Sequence, residues 1–155
     1  MKRILLTGMA GTGKSTVILR LAARGYRAVD IDEPGWSETA SDGEWVWCED
    51  RVQTLLSTED AETLFVSGCA SNQLKFYPQF DNIILLSTPA DVIIERLAAR
   101  TNNPFGKSPA ELAQVLDDLE KTEPKLRRVA QHEVDTTATL DEVVSTVLRL
   151  VQLQT

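Results

Sequence analysis

The stretch GMAGTGKST, residues 8–16, carries residue types that suit one specific job. From Gly8 to Ser15 it fits G-x-x-x-x-G-K-[ST], a pattern whose backbone amides cradle phosphate oxygens. Gly8, Gly11 and Gly13 let the chain pass close to those oxygens, with Thr12 inside the loop. The loop opens a helix, whose N-terminal dipole favours anions. Lys14 is spaced to reach the β and γ phosphates of a nucleoside triphosphate. Ser15 can offer its hydroxyl to Mg2+, and Thr16 can meet an inner phosphate. Gly8, Gly11, Thr12, Gly13, Lys14, Ser15 and Thr16 are therefore the candidate nucleotide site. No NKxD segment of the guanine-reading kind occurs, so the expected cofactors are ATP and Mg2+.

Such a loop works only where a strand delivers it and a helix follows. RILLT (3–7) predicts a buried strand, and Val17, Ile18, Leu21 and Ala22 form one helical stripe ending before Gly25. Further strands are expected at RAVDI (27–31), TLFVS (63–67), NIILLS (82–87) and EVDTT (133–137). Helices are expected at about 44–56, from Thr88-Pro89 to about 100, from about 109 with a break near Pro124, and at 140–153. Short apolar strands alternating with helices predict an α/β fold with a parallel sheet covered on both faces. Ligands of such sheets bind outside the carboxyl ends of the strands. Here those ends are Gly8, Asp32, Ser67, Thr88 and the loop after Asp135.

The 155 residues suit one domain over 1–155, and an apolar fraction of 43% allows a real core. No apolar run is long enough for a membrane span, and the N-terminal apolar stretch is too short for a signal peptide, so a cytoplasmic protein without membrane contact is expected. Cys48 and Cys69 form no CxxC, and His132 is the only histidine, which argues against a zinc site. A net charge of −7 disfavours nucleic acid as a partner. The charge is uneven. Residues 30–62 hold eleven acids and one base, Arg51, giving −10, and the remainder sums to +3.

The P-loop, the AVDID segment, DGE (42–44), SG (67–68), RLAART (96–101) and EPKLRRVAQHEVDTT (123–137), in that order, resemble the nucleotide-kinase branch of P-loop proteins. The likeness is nearest to shikimate-kinase-like and adenylate-kinase-like small-molecule kinases and runs along nearly the whole chain. It implies a P-loop three-layer α/β/α fold, with five parallel strands in order 2-3-1-4-5 and a short lid at about 101–108. Arg96 and Arg100, spaced i,i+4, share a helix face before that lid. The resemblance implies that one stacks on adenine and the other touches the transferring phosphate; Arg96 is the candidate for the nucleotide and Arg100 for charge stabilisation. By the same resemblance Asp32 orients the acceptor hydroxyl, accepts its proton and helps hold Mg2+. The bland reading of Asp32 is a helix cap or a solvated loop acid. Asp30, two residues earlier, points to the same side. Lys14, Asp32 and Arg100 are thus the catalytic candidates, and Ser15 and Asp32 the metal candidates.

The acceptor side should come from about residues 30–80. Candidates there are Asp30, Trp36, Arg51 and Asn72, joined by Arg127; neighbouring helix residues diverge by about 100°, so only one of Arg127 and Arg128 should face the site. The residue before Pro124 is an acid, Glu123, in a segment where the resemblance leads one to expect an arginine. A doubly charged acceptor phosphate fits poorly in a field of −10. The expected function is transfer of the γ-phosphate of Mg·ATP to a hydroxyl of a small neutral or cationic acceptor. Two alternatives stay open: a nucleoside monophosphate kinase, and an ATP-binding switch with slow hydrolysis. The acids could also be a plain solvated face. Trp45 and Trp47, read on a helix, diverge by about 200°.

Overall fold

The computed structural model describes residues 1–100 and 105–152. Half of the lid expectation, residues 101–104 of 101–108, lies outside them. The chain begins with β1 (Lys2–Thr7), whose Ile4, Leu5 and Leu6 are fully buried. Consecutive buried residues mean that both strand faces are covered. After the glycine loop comes α1 (Lys14–Ala23), which buries Val17, Ile18 and Leu21, and then β2 (Arg27–Asp30).

The next stretch departs from the sequence expectation. A helix over about 44–56 is replaced by two short antiparallel strands, β3 (Ser37–Thr39) and β4 (Trp45–Trp47), and a shorter helix, α2 (Glu49–Ser57). Asp42-Gly43 makes the turn between the strands: the Asp42 carboxylate accepts the Glu44 amide at 3.0 Å, and Gly43 adopts φ 85°. That pair is a strong hairpin signal, and Trp-Val-Trp prefers an extended chain.

The buried β5 (Thr63–Ser67) follows, then a 3₁₀ helix over Gln73–Gln79 and β6 (Asn82–Ser87). The remaining elements are α3 (Ala90–Ala99), α4 (Pro109–Lys121), α5 (Glu123–Val129), β7 (His132–Asp135) and α6 (Leu140–Leu150). Ser108 caps α4 and Thr139 caps α6 through their hydroxyls. Pro124 sits in the first turn of α5, where its missing N–H costs no hydrogen bond, so the break precedes it.

Five strands form one parallel sheet in the order β2-β5-β1-β6-β7. Counted along the chain this is 2-3-1-4-5, as expected. Ile4, Leu6, Phe65, Ile84 and Leu86 face α1 and α6. Leu5, Leu64, Val66 and Ile83 face the other way, onto α2, Trp47 and Phe76. This alternation gives the three layers and brings Gly8, Asp30 and Ser67 to one edge of the sheet. Among the described residues, no helix is long and apolar enough to cross a membrane.

Candidate active site

The glycine loop leaves β1 hard against β6. A Cβ on Gly8 would strike the Leu86 carbonyl oxygen, so the close approach requires glycine there. Gly13 takes φ 93° and starts α1 with no side-chain cap, leaving the first-turn amides for a ligand. Lys14 Nζ donates to the carbonyls of Gly8 at 2.7 Å and Met9 at 3.0 Å, folding across the loop mouth. Ser15 and Thr16 are exposed at the helix start. Thr12 differs: its side chain is fully buried and its hydroxyl donates to the Met9 carbonyl at 2.9 Å. Its side chain braces the loop and is not available to a nucleotide.

Ser15 Oγ donates to Asp30 Oδ2 at 2.7 Å. Asp30 is the register partner of Ser67, whose Oγ is buried and has no partner among the described residues. Ser15, Asp30 and Ser67 thus form an oxygen set of the kind a hard divalent cation prefers. No cluster of three His, Cys, Asp or Glu forms among the described residues, so a cation here would keep waters and nucleotide oxygens, the usual habit of Mg2+. Asp32 does not join this set. Both its oxygens accept the Cys69 amide, at 3.0 and 3.1 Å, and Oδ1 accepts the Trp47 indole N–H at 3.3 Å. A Cβ on Gly68 would lie 3.0 Å from both Asp32 Oδ1 and Trp47 Nε1, so that meeting needs a glycine. Burial pushes the Asp32 carboxyl above the ordinary aspartate range, against the pull of the Lys14 ammonium and the Cys69 amide. Burial likewise raises the Cys69 thiol. The Asp30 and Asp32 side chains therefore divide: one meets Ser15, the other faces Trp47 and Cys69.

Arg96 ties three parts together. It donates to the Gly11 carbonyl at 3.3 Å, to Thr136 Oγ1 at 3.0 Å and to the Thr136 carbonyl at 2.6 Å. Arg100 donates to the Phe105 carbonyl at 2.8 Å, and partial burial lowers its pKa.

The expected acceptor contacts fare less well. Arg51 donates to the Gly35 carbonyl and, with Trp36, lines a separate groove of about 650 Å3 together with Arg27, Asp50 and Thr54. None of the residues lining that groove belongs to the glycine loop, and Asp32 is not among them. Asn72 is structural: Oδ1 accepts the Trp47 amide, and Nδ2 donates to the Trp47 carbonyl and Glu49. Arg127 is engaged by two acids, Glu133 at 2.7 and 3.2 Å and Glu123 at 2.9 Å, which hold its guanidinium proton more firmly than usual. Of these pairings only Glu123–Arg127 follows a spacing rule, being i,i+4 on α5; the others join a side chain to a different element. Gly68 entered the sequence reading only as part of SG (67–68), and Cys69 had no motif signal.

Residues 4–117 match the family described as an AAA domain. Over 165 aligned positions the chain is 30% identical to shikimate kinase 2 of Yersinia enterocolitica, covering 95% of this chain and 94% of that one. The chain belongs to the shikimate-kinase-like P-loop nucleotide kinases. It is an ATP-binding small-molecule kinase. The fold of this kinase matches the shikimate kinase of Acinetobacter baumannii in complex with shikimate, with a TM-score of 0.72 at 23% identity, covering 98% of this chain and 93% of that one. A gluconokinase from Sinorhizobium meliloti shares the fold with a TM-score of 0.63 at 23% identity, over 97% and 94% of the two chains. Within this kinase, the charges that bear on Asp32 are Lys14 and Asp30, and those that bear on Cys69 are Lys14, Asp32 and Asp118. Among the described residues, Lys14 is thus the one cation acting on Asp32, and it lies across the phosphate loop.

Proposed function

We propose that this kinase transfers the γ-phosphoryl group of Mg·ATP to a hydroxyl of a small acceptor that is neutral or cationic. The observation that carries the reading is Asp32: a half-buried carboxylate beside Lys14, aligned by the Cys69 amide and the Trp47 indole, with no arginine acting on it. An anionic acceptor would find neither Arg51, which lines another groove, nor Arg127, which is bound by Glu123 and Glu133, and Lys14 is turned to the phosphate loop.

In this reading Asp32 orients the acceptor hydroxyl and takes its proton as the new O–Pγ bond forms. The bond from Pγ to the bridging oxygen breaks, and ADP leaves with that electron pair. Lys14 exchanges its two loop carbonyls for phosphate oxygens, and the amides at the start of α1 hold the rest of the chain of phosphates. Arg96 steadies the loop against Thr136 and borders the nucleotide, and Arg100 stands by the lid for charge stabilisation. Ser15 and Asp30 would hold the magnesium, with Ser67 behind them, and the ion would neutralise developing phosphate charge. The metal role assigned to Asp32 from sequence therefore passes to Asp30, and Asp30 leaves the acceptor set.

ADP release from Mg·ATP, measured with acceptors pooled by charge, tests the reading. Stimulation by nucleosides, sugars or amino alcohols is expected. Stimulation confined to nucleoside monophosphates, shikimate or other acids would overturn the charge argument, and ATP turnover indifferent to every pool would favour a switch.

A further inference from the structure

Glu123 opens α5 with nine-tenths of its surface buried. Its Oε1 accepts from Arg127, but Oε2 is buried with no partner among the described residues. A carboxylate oxygen kept from water without a donor is destabilising, so it asks for one. Arg127 is already shared: Glu133 takes its Nε and an NH2 hydrogen. Two acids around one arginine leave the trio with a net negative charge.

The position of this group is informative. Glu123 and Leu126, spaced i,i+3, share one side of α5, and Ala130 follows the helix's last turn. Leu126 and Ala130 pack against Met9 of the phosphate loop, Leu85 and Cys69. The Glu123 side of α5 is therefore turned toward the Cys69 whose amide holds Asp32. Asp118, near the end of α4, carries a charge that bears on Cys69. Asp118 thus acts on Cys69, and Glu123, one turn before the Leu126 that packs with Cys69, has an unused, buried acceptor oxygen.

We infer that the acceptor is an alcohol that also carries an ammonium group, with Glu123 Oε2 receiving the ammonium, Asp118 adding its charge, and the hydroxyl left to Asp32. This rests on the kinase reading for the hydroxyl end; the ammonium end stands on Glu123. An ammonium supplies the missing donor and offsets the negative charge at once, whereas a neutral hydroxyl does only the first and a carboxylate does neither.

The test uses the full chain loaded with Mg2+ and a non-hydrolysable ATP analogue. Binding is followed by the shift in thermal midpoint with three size-matched pools: amino alcohols and amino sugars, their N-acetylated counterparts, and the corresponding sugar acids. The amine pool should bind roughly tenfold more tightly than the acetylated pool, in keeping with one charge-assisted hydrogen bond. In Glu123→Gln that ratio should fall to about threefold or less, and Asp118→Asn should lower it in part, by the loss of charge alone. Analogue binding reports whether each variant is folded; if Glu123→Gln is not, Asp118→Asn and the ranking on the unaltered protein decide. Equal or better binding of the acetylated or acid pool, no binding by any pool, or a ratio unmoved by the substitutions would overturn the inference. ADP release is read from the same pools with ATP. An amine that binds without stimulating release would sink the kinase reading alone, and release driven by the acid pool would sink the ammonium site alone.

Discussion

Asp32 owes its properties to its surroundings. Desolvation raises its carboxyl, and Lys14 and the Cys69 amide only partly reverse that. Asp32→Asn should abolish transfer while leaving ATP affinity within roughly tenfold, as measured by single-turnover kinetics and nucleotide titration, because the loop and Lys14 are untouched. Stability should move the other way. The folded chain holds the Asp32 proton to higher pH than the unfolded chain does, so its stabilising effect is present at low pH and is lost as pH rises through the raised value. Asn never ionises. The variant should therefore melt above the unaltered protein at neutral pH, and the gap should close toward about pH 4, near the unfolded aspartate value. A lower melting point at neutral pH would show that the bonds to Cys69 and Trp47 outweigh desolvation. The same shift governs catalysis: kcat/KM for the acceptor should drop on the acid side at a pH above the ordinary aspartate range, and an acid limb at the ordinary value would remove Asp32 as the base. The spacing of Gly8, Lys14 and Ser15 was readable from sequence because it is local. The division of labour between Asp30 and Asp32 was not, since it depends on where Ser15, Gly68 and Cys69 stand in space.

At the scale of elements, the misread segment is the instructive one. On a helix Trp45 and Trp47 would diverge; on β4 they share a face. The Asp42-Gly43 turn signalled a hairpin, yet the acids and Trp47 that follow also suit a helix, and a tertiary clamp decides the outcome. Asn72, just before the 3₁₀ helix, bonds both the amide and the carbonyl of Trp47 and reaches Glu49 at the start of α2. It thereby fixes the strand from which Trp47 meets Asp32. Asn72→Ala should cost about 1–3 kcal/mol, because two Trp47 backbone groups lose their partner. Chemical denaturation measures that, and steady-state kinetics should show the loss falling on the acceptor, with the KM for ATP nearly unchanged. An equal loss for both substrates would mean that the hairpin supports the phosphate loop as well. The five sheet strands, by contrast, were legible within a residue or two: burial on both faces writes β1, β5 and β6 as short continuous apolar runs, while the edge strands β2 and β7, only partly buried, were placed by the alternation of strands and helices around them.

Across the whole molecule, the acidic stretch, −10 over residues 30–62, is not gathered at one place. The loop, Lys14 and Arg96 come from β1, α1 and α3, outside that stretch, and of its acids Asp30 is the one that bears on Asp32; Glu59 and Asp60 pair with Arg3 and Arg27 at the amino end of the sheet, and Glu49 pairs with Lys75. Sequence alone showed that imbalance but left open whether it was a solvated face, since charge count says nothing about which cations are already engaged. The structure removes Arg51 to another groove and binds Arg127 between Glu123 and Glu133. A negative field on the acceptor's approach, as the proposed reading requires, would extend beyond contact distance and be screened by salt over about 10 Å at 0.1 M. Raising ionic strength from about 0.05 to about 0.5 M, with ATP saturating, should therefore lower kcat/KM several-fold for a cationic acceptor and raise it for an anionic one. A neutral acceptor should stay within about twofold, since it feels no steering. Saturating ATP matters, because the nucleotide is itself charged and its own salt dependence would otherwise mask the effect. If a cationic acceptor proves indifferent to salt, the acidic stretch is a solvated face after all, and recognition rests on contact with Asp32 and its immediate neighbours.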